Sequence, residues 1–351
     1  MNRIPKVSIA YVAIAVIIGV GVFFAFSHSH TAQAESTPIK VRWLLSHQPT
    51  SVFAHATEVF GQELSKDTKG RLALEVVTPQ DIGVVKGDVS NSEIFKQLDS
   101  GNVQIASAYT VALGHSDPHM WALSLPYLFS SYEAIGPQLD GSTGQYILNS
   151  LASSASAHAL AFTMSGGYRI IATKTKTISS VSDMKGLHIA TSGGPVAEAT
   201  LKALGAIPVS VDLESASQSF DPNTIDGVET TYSRLSEVLG NKSAYTAHIN
   251  ETDHSMFLTA IIAGNNFYDS LSPQDQQALK TAALAAAQVE RQDSIALGEQ
   301  VRTQLVAEGS QITPLSPGAK AAFKEATAGV ASQFSSVVGP DIIQALLKRD
   351  Q

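Results

Sequence analysis

A long uninterrupted helical pattern near the carboxyl end constrains the fold more than any other feature of the 351-residue chain. The segment 272–309 opens with Ser272 as a helix N-cap and Pro273 at the first helical position, and it ends at Gly309. About 36 helical residues at 1.5 Å each reach roughly 54 Å, which is longer than a small domain is wide. Its apolar positions are mostly alanine, without sustained leucine heptads. We therefore expect the helix to brace two lobes rather than to form a coiled coil.

Strand and helix patterns alternate in two series along the rest of the chain. The first series is strand 39–46, helix 51–70, strand 71–78, helix 91–101 and strand 103–109. The second is strand 168–173, strand 186–190, helix 195–204, strand 207–211, a helix near 214–220 and strand 225–229. This alternation of strands and helices predicts an α/β protein with two lobes and largely parallel or mixed sheets. Because no linker separates the two series, we expect the lobes to exchange strands.

The amino terminus has the pattern of an export signal. Arg3 and Lys6 precede an apolar run of about 19 residues, and small residues end at Ala34. The run is also long enough to span a bilayer, so residues 1–34 are either a cleaved signal peptide or a retained membrane anchor. Both alternatives place the folded part outside the cytoplasmic membrane, in the periplasm.

Composition excludes several classes of protein. The chain has no cysteine, which excludes thiol catalysis, disulfides and zinc–thiolate sites. A net charge of -8 argues against nucleic acid as a partner. A loop with His115, Asp117 and His119 is interpreted as a polar loop rather than a metal cluster, because Pro118 prevents a helical pair of ligands. No nucleophile motif, phosphate loop or dinucleotide fingerprint occurs, so we expect neither an enzyme nor a cofactor.

One arginine stands in an unusual setting. Arg169 follows Gly166 and Gly167 and precedes the apolar run 170–172. A guanidinium is always charged and is costly to bury without a partner. Two adjacent glycines also permit a close approach to the backbone. The sequence therefore predicts a specific partner for Arg169.

Several short motifs then occur in a recognisable order. They are L-S-L-P-Y-L-F at 123–129, S-V-S-D-M-K-G-L-H-I-A at 180–190, L-G-A-I-P-V-S-V at 204–211, I-D-G-V-E at 225–229 and the start of the long helix at 268–283. In this order and spacing the chain resembles the substrate-binding proteins of tripartite ATP-independent periplasmic (TRAP) transporters, of the dicarboxylate- and sialate-receptor type. The resemblance covers nearly all of the chain after the export segment.

The resemblance implies a two-lobed periplasmic-binding-protein fold with an interlobe cleft, crossing strands and one long bracing helix. Lobe I is then expected at 35–165 plus about 256–295, and lobe II at 166–255 plus about 296–351. The implied function is a periplasmic receptor that captures a small organic acid and delivers it, as a monomer, to TRAP membrane permease subunits. The alternatives are a membrane-tethered sensor or accessory subunit on the same scaffold and, with no supporting motif, an exported hydrolase.

The resemblance also implies a set of ligand-binding residues. Arg169 falls where the family has a cleft arginine, so its expected partner is a ligand carboxylate; the alternative is an internal Asp or Glu. The other expected ligand-binding positions are Ser46, Gln48, Asn91, Tyr109, Ala190, Leu213 and Thr230.

Several of these positions differ from the family, among them Leu213 and Thr230, and the most consequential difference is at Ala190. Most members have an arginine that clamps the ligand carboxylate where this chain has Ala190. Either the ligand is less anionic or bulkier than a small dicarboxylate, with Tyr109 and Leu213 beside its apolar part, or another group replaces the clamp. His188, Lys185 and the helix N-terminus at 191–195 are the candidates for that replacement.

Overall fold

The structure is a computed structural model that describes residues 37–47, 50–84, 89–211, 223–239 and 243–348. The predicted export segment 1–34 and the predicted helix near 214–220 lie outside these residues. In the described chain the strands are β1 (Ile39–Leu44), β2 (Leu72–Val77), β3 (Ile105–Tyr109), β4 (Ala157–Tyr168), β5 (Ile170–Thr173), β6 (His188–Thr191), β7 (Ile207–Ser210), β8 (Gly227–Thr230), β9 (His248–Glu251), β10 (Met256–Gly264) and β11 (Gln311–Pro314).

Helices alternate with these strands. They are α1 (Ala54–Asp67), α2 (Asn91–Asp99), α3 (Thr110–Leu113), α4 (Tyr132–Leu139), α5 (Ser142–Ser154), α6 (Gly194–Ala203), α7 (Tyr232–Leu239), α8 (Asn265–Ser270), α9 (Pro273–Ala307), α10 (Pro317–Thr327), α11 (Val330–Val338) and α12 (Pro340–Lys348). The predicted strands and helices of both series are present where the structure describes them, with ends that differ by a few residues. The predicted strand 168–173 is interrupted at Arg169, which separates β4 from β5.

The strands form two mixed sheets. The first sheet has the order β2-β1-β3-β10-β4, and the second has the order β11-β9-β5-β8-β6-β7. In the first sheet β1 is parallel to β2 and β3, whereas β10 is antiparallel to β3 and β4. In the second sheet β6 is parallel to β7 and β8, and β5 is antiparallel to β8 and β9. This is the α/β, two-sheet architecture that the sequence predicts.

The chain passes between the sheets at two neighbouring places. β4 of the first sheet continues through Arg169 into β5 of the second sheet, and β9 of the second sheet continues through residues 252–255 into β10 of the first. The Arg169 amide donates a hydrogen bond of 2.8 Å to the Ser255 carbonyl, which joins the two passages. The expected strand exchange is therefore present, while the residue boundaries of the lobes stay a prediction.

The two glycines before Arg169 are required by this passage. Gly166 and Gly167 have φ values of +90° and +83°, a region that residues with a side chain rarely adopt. A Cβ atom at Gly166 would collide with the Ser233 hydroxyl, and one at Gly167 would collide with the Tyr132 hydroxyl. The close approach that the sequence predicts thus occurs on both glycines.

Helix α9 contacts elements of both sheets. Near its start, alanines of α9 pack in one apolar cluster with Phe60 and Leu64 of α1 and Trp43 of β1. Near its end, Leu305 packs with residues of β5 and β8, and Arg302 forms an ion pair of 2.6 Å with Glu251 of β9. The 35-residue helix therefore braces the two lobes, as its length predicts.

Candidate functional site

Arg169 lies at the passage from β4 to β5, and its side chain is buried between the sheets. Its Nη1 atom is 3.2 Å from a carboxylate oxygen of Glu229 on β8, and its Cζ atom is 4.1 Å from the ring centre of Phe257 on β10. Its Nη2 atom is buried and has no hydrogen-bond partner among the described residues. Arg169 therefore has an internal partner and an unused donor at the same time.

Glu229 holds this arginine in a polar network. Its second oxygen is 2.8 Å from Nε2 of His254, and the Thr191 hydroxyl donates to the oxygen that faces Arg169. Burial alone would raise the pKa of Glu229, but the charge of Arg169 and the hydrogen bonds from His254 and Thr191 lower it to about 2. Glu229 is therefore ionised at neutral pH.

Aromatic rings continue the site from Arg169 toward the first sheet. Phe257 stacks on Tyr109, the last residue of β3, with ring centres 4.9 Å apart. Arg234 of α7 donates a hydrogen bond to the Tyr109 hydroxyl, and its Cζ atom is 5.4 Å from each of these two ring centres. Two guanidinium groups thus lie beside the same stacked pair of rings.

His47 forms the far side of this arrangement. Its ring centre is 4.6 Å from that of Tyr109 and 5.1 Å from that of Phe53, and only 1% of the residue is exposed. Neither ring nitrogen has a hydrogen-bond partner among the described residues. Burial, with a smaller contribution from Arg234, lowers the pKa of His47 to about 3, so the ring is neutral. We call His47, Tyr109, Arg169, Glu229, Arg234, His254 and Phe257 the inner cluster.

A cavity of about 580 Å³ adjoins the inner cluster. Its walls come from α2, α3 and the turn Pro118–Ser124 on one side, and from the β6–α6 passage and β7 on the other. Tyr109 lines the cavity directly, and Thr191, which donates to Glu229, lines it as well. The volume is within the range of small-molecule sites, about 300–1,000 Å³.

The structure brings several of the sequence-predicted positions to this region. Tyr109 and Asn91 line the cavity, and the Asn91 side-chain oxygen has no partner among the described residues. Ser46 is buried beside His47, with its hydroxyl donating to the Ser107 carbonyl. Thr230 is buried on β8 opposite Ile170 and does not line the cavity. Gln48 and Leu213 lie outside the described residues, and the ligand roles of all these residues stay predictions.

Ala190 lies away from the cavity. It packs in an apolar cluster with Ile170, Val228 and Leu235, and none of its surface is exposed. The suggested replacements for a clamp at this position differ in their location. His188 is half exposed, lies 3.4 Å from Asp226 and does not line the cavity. Lys185 is exposed, whereas residues 192, 194 and 195 at the start of α6 line the cavity.

Sequence reasoning missed most of the inner cluster. The sequence patterns do not single out five of its members, which are His47, Glu229, Arg234, His254 and Phe257. Glu229 had a signal, because an acidic residue inside an apolar strand near Arg169 is the internal partner that a buried arginine requires. Arg234 had none, because on a polar helix pattern it cannot be distinguished from a solvated cation.

The described residues contain neither a candidate metal-binding group nor a candidate membrane-spanning helix. Within the described ranges no group of three or more His, Cys, Asp or Glu side chains is placed to hold a metal ion. Asp117 instead accepts a hydrogen bond from the backbone amide of His119. No helix of the described chain is both long and apolar enough to cross a membrane.

Fold and site together define the class of solute-binding proteins: two sheets joined by crossing strands, a bracing helix, and a buried polar cluster beside a cavity between the sheets. A model of the family described as bacterial extracellular solute-binding protein, family 7 (DctP), matches residues 45–336. The chain therefore belongs to this family.

Relatives and solved structures agree with this assignment. The C4-dicarboxylate-binding protein DctB of Bacillus subtilis is 27% identical over 228 residues, which are 65% of this chain and 62% of that relative. The ectoine/5-hydroxyectoine-binding periplasmic protein UehA of Ruegeria pomeroyi is 31% identical over 51% of this chain and 53% of its own length.

Among solved structures, a TRAP periplasmic solute-binding protein from Shewanella oneidensis with bound succinate superposes with a TM-score of 0.75 at 21% identity, covering 90% of this chain and 100% of that one. The sugar acid binding protein of Advenella mimigardefordensis in complex with galactonate gives a TM-score of 0.76 at 19% identity, covering 89% and 97%. At these identities the likeness shows the fold, which is that of TRAP periplasmic binding proteins.

Proposed function

We propose that this solute-binding protein is the receptor of a TRAP-type transporter, and that it captures a small organic acid between its lobes and delivers it to membrane permease subunits. The observation that carries the proposal is the Nη2 group of Arg169, a charged donor buried between the sheets without a partner among the described residues. The names of the relatives and of the bound ligands in similar structures support an acid as the solute.

The energetics of burial favour a carboxylate at Arg169. A buried donor left without a partner costs about 1–3 kcal/mol, and more when it is charged. Glu229 engages Nη1 and fixes the plane of the guanidinium, so that Nη2 remains available in a defined direction. A ligand carboxylate supplies the missing acceptor, and its hydrogen bond is charge-assisted. Arg234 adds a second positive charge beside the same rings and offsets the repulsion from Glu229.

Capture by lobe closure follows from the position of the site. The inner cluster combines residues of the first sheet, such as Tyr109 and Phe257, with residues of the second, such as Glu229. Arg169 lies on one of the two strand passages, where a small change in backbone angles rotates one lobe against the other. A carboxylate at Nη2 would be contacted from both lobes and would favour the closed arrangement.

We propose binding without catalysis. Glu229 is held by Arg169, His254 and Thr191, and its pKa of about 2 makes it a poor base. Glu229 therefore orients the guanidinium of Arg169 and takes no part in a reaction.

The test uses a pair of charge-neutralising substitutions. Arg169→Gln alone leaves Glu229 buried without its cation, so the double variant Arg169→Gln/Glu229→Gln is measured as well, because it removes both charges together. Binding of succinate, galactonate and other organic acids is screened by thermal shift and then measured by calorimetry. We expect both variants to lose about 2–5 kcal/mol of binding free energy for the acid that the wild type binds best.

The control is Arg71→Gln, because Arg71 is half exposed and pairs with Asp275 outside the cleft. This variant should bind the acid with wild-type affinity. If the double variant folds and also keeps wild-type affinity, Arg169 does not bind the ligand carboxylate and the proposal is wrong.

A further inference from the structure

His47 is an imidazole with unused hydrogen-bonding capacity on both sides of its ring. Both ring nitrogens are buried, and neither has a partner among the described residues. The rings of Tyr109 and Phe53 pack against it, so its plane is fixed and its nitrogens have defined directions. Buried polar groups without partners are rare in native proteins and require an explanation.

The chemistry of a neutral imidazole identifies the complementary group. One nitrogen carries a proton and donates, while the other accepts. A carboxylate offers acceptors only and would leave the accepting nitrogen unsatisfied. A hydroxyl group both donates and accepts, so it can pair with whichever ring nitrogen faces the ligand, the donor or the acceptor.

A second unused polar atom lies on the same side of the site. The side-chain oxygen of Asn91 is an acceptor without a partner among the described residues, and Asn91 lines the cavity together with Tyr109. The amide of Val89 donates a hydrogen bond of 2.7 Å to the carbonyl of Ser46, which ties the segment before Asn91 to the loop that carries His47. An acceptor at Asn91 again suits a donor such as a hydroxyl.

We propose that His47 binds a hydroxyl group of the ligand, so that the solute is a hydroxylated organic acid rather than an unsubstituted monocarboxylate or dicarboxylate. This inference rests on the proposed function, since Arg169 binds the carboxylate of the ligand while His47 binds its hydroxylated part. His47 then selects among acids, and Arg169 provides the common anion contact.

Matched pairs of acids test this directly. Calorimetry compares galactonate with hexanoate, glycerate with propionate, and tartrate with succinate, each pair having equal carbon number and differing in hydroxyl groups. We expect the hydroxylated member of at least one pair to bind at least tenfold more tightly. In His47→Phe, which keeps an aromatic ring against Tyr109, this preference should disappear; His47→Gln, which keeps a donor and an acceptor, should retain part of it.

The control is His158→Phe, because His158 contacts Asp269 and Tyr268 away from the inner cluster. It should keep the wild-type preference. If acids bind through Arg169 but the preference is absent, or survives unchanged in a folded His47→Phe protein, the inference is wrong and the proposed function stands. If none of the six acids binds, both are wrong.

Proton uptake provides an independent readout. The titratable or charged groups that the described chain gives around His47 are Tyr109 of β3 and Arg234 of α7. Calorimetry of the hydroxylated acid in two buffers of different ionisation enthalpy at pH 6 should show no net proton uptake, because a neutral ring binds a hydroxyl. Uptake of one proton that His47→Phe abolishes would indicate an imidazolium bound to a second carboxylate, and would overturn the inference.

Discussion

Two buried arginines adjoin strand β4, and they differ in how their guanidinium groups are satisfied. Arg291 of α9 donates from Nη1 to an Asp140 oxygen at 3.0 Å and to the Phe162 carbonyl at 2.8 Å, and from Nη2 to the other Asp140 oxygen at 2.6 Å. Arg169 uses Nη1 on Glu229 and leaves Nη2 without a partner in the described chain. The first arrangement is complete by itself, whereas the second leaves one buried donor unused, which is the donor that we propose for the ligand carboxylate.

The carboxyl groups beside these arginines differ in the direction of their pKa shifts. Glu229 faces Arg169 and His254 directly and is ionised. Glu290, one residue before Arg291, accepts a hydrogen bond from the Met164 amide at 2.8 Å, and burial raises its pKa well above the ordinary value. The charge of Arg169 favours the ionised form of Glu229, whereas burial favours the protonated form of Glu290, which joins α9 to β4 through the Met164 amide.

The comparison shows that an unused polar atom does not by itself indicate a ligand site. Glu290 also has an oxygen without a partner among the described residues, yet it does not line the cavity between the sheets. Asn91 lines the cavity, and Arg169 and His47 adjoin it through the stacked rings of Phe257 and Tyr109. We expect location and charge together to distinguish binding groups from structural ones.

The largest expected effect on stability comes from Arg291. Arg291→Gln leaves Asp140 without its cation and the Phe162 carbonyl without a donor, so we expect the free energy of unfolding to fall by about 3–5 kcal/mol. Urea unfolding measures this loss, with Lys66→Gln as a control, because Lys66 is exposed and pairs with Glu63 at the surface, so its loss should change the free energy of unfolding far less. Acid binding should persist in the folded Arg291→Gln protein, and its specific loss would contradict the separation of roles.

The next largest expected effect is the loss of stability in acid that protonation of Glu229 should cause. The pKa of Glu229 is about 2 in the folded protein against an ordinary value of 4.5, so its contribution to stability is present above pH 4.5 and is lost as the pH falls toward 2. At about 1.4 kcal/mol per pKa unit the loss amounts to about 3 kcal/mol.

Unfolding free energies at pH 6 and pH 3 measure about 2 kcal/mol of this loss, because a carboxyl group with a pKa of about 2 is still mostly ionised at pH 3. The double variant Arg169→Gln/Glu229→Gln has no carboxylate to protonate at position 229, and it should lose correspondingly less stability than the wild type. Equal acid losses in the two proteins would show that Glu229 is not the group responsible.

Much of the fold could be predicted from local patterns. The N-cap at Ser272, Pro273 at the first turn and an unbroken helical period give α9 to within about a residue, because these signals act within a few residues of the chain. β4 and β10 were not predicted. Both are buried on the two faces of the first sheet almost throughout, and strands of this kind do not show the alternation of a half-exposed strand.

The site was harder to predict than the fold. Arg169 could be selected because a charge inside an apolar run requires a partner, and the resemblance supplied its expected role. The inner cluster assembles from β3, β8, β10, α7 and the loop after β1, which are far apart in sequence, so no local pattern brings them together. Ala190 illustrates the limit of transferring positions: its strand has two faces, and its side chain packs in the apolar cluster of the second sheet.

The smallest expected effect concerns Glu290, and it has the opposite sign to that of Glu229. Because the folded protein raises the pKa of Glu290, the native state holds a proton that the unfolded chain releases, and stability falls as the pH rises above the ordinary value of 4.5. Glu290→Gln stays neutral at every pH and keeps the shape of the protonated acid. We expect the variant to match the wild type at and below about pH 4.5 and to become progressively more stable than it as the pH rises above that value. Urea unfolding at several pH values measures the difference, with Glu299→Gln as the exposed control on the same helix. Parallel pH profiles for Glu290→Gln and the wild type would mean that Glu290 is ionised in the folded protein, and the contrast between the two buried carboxylates would then be wrong.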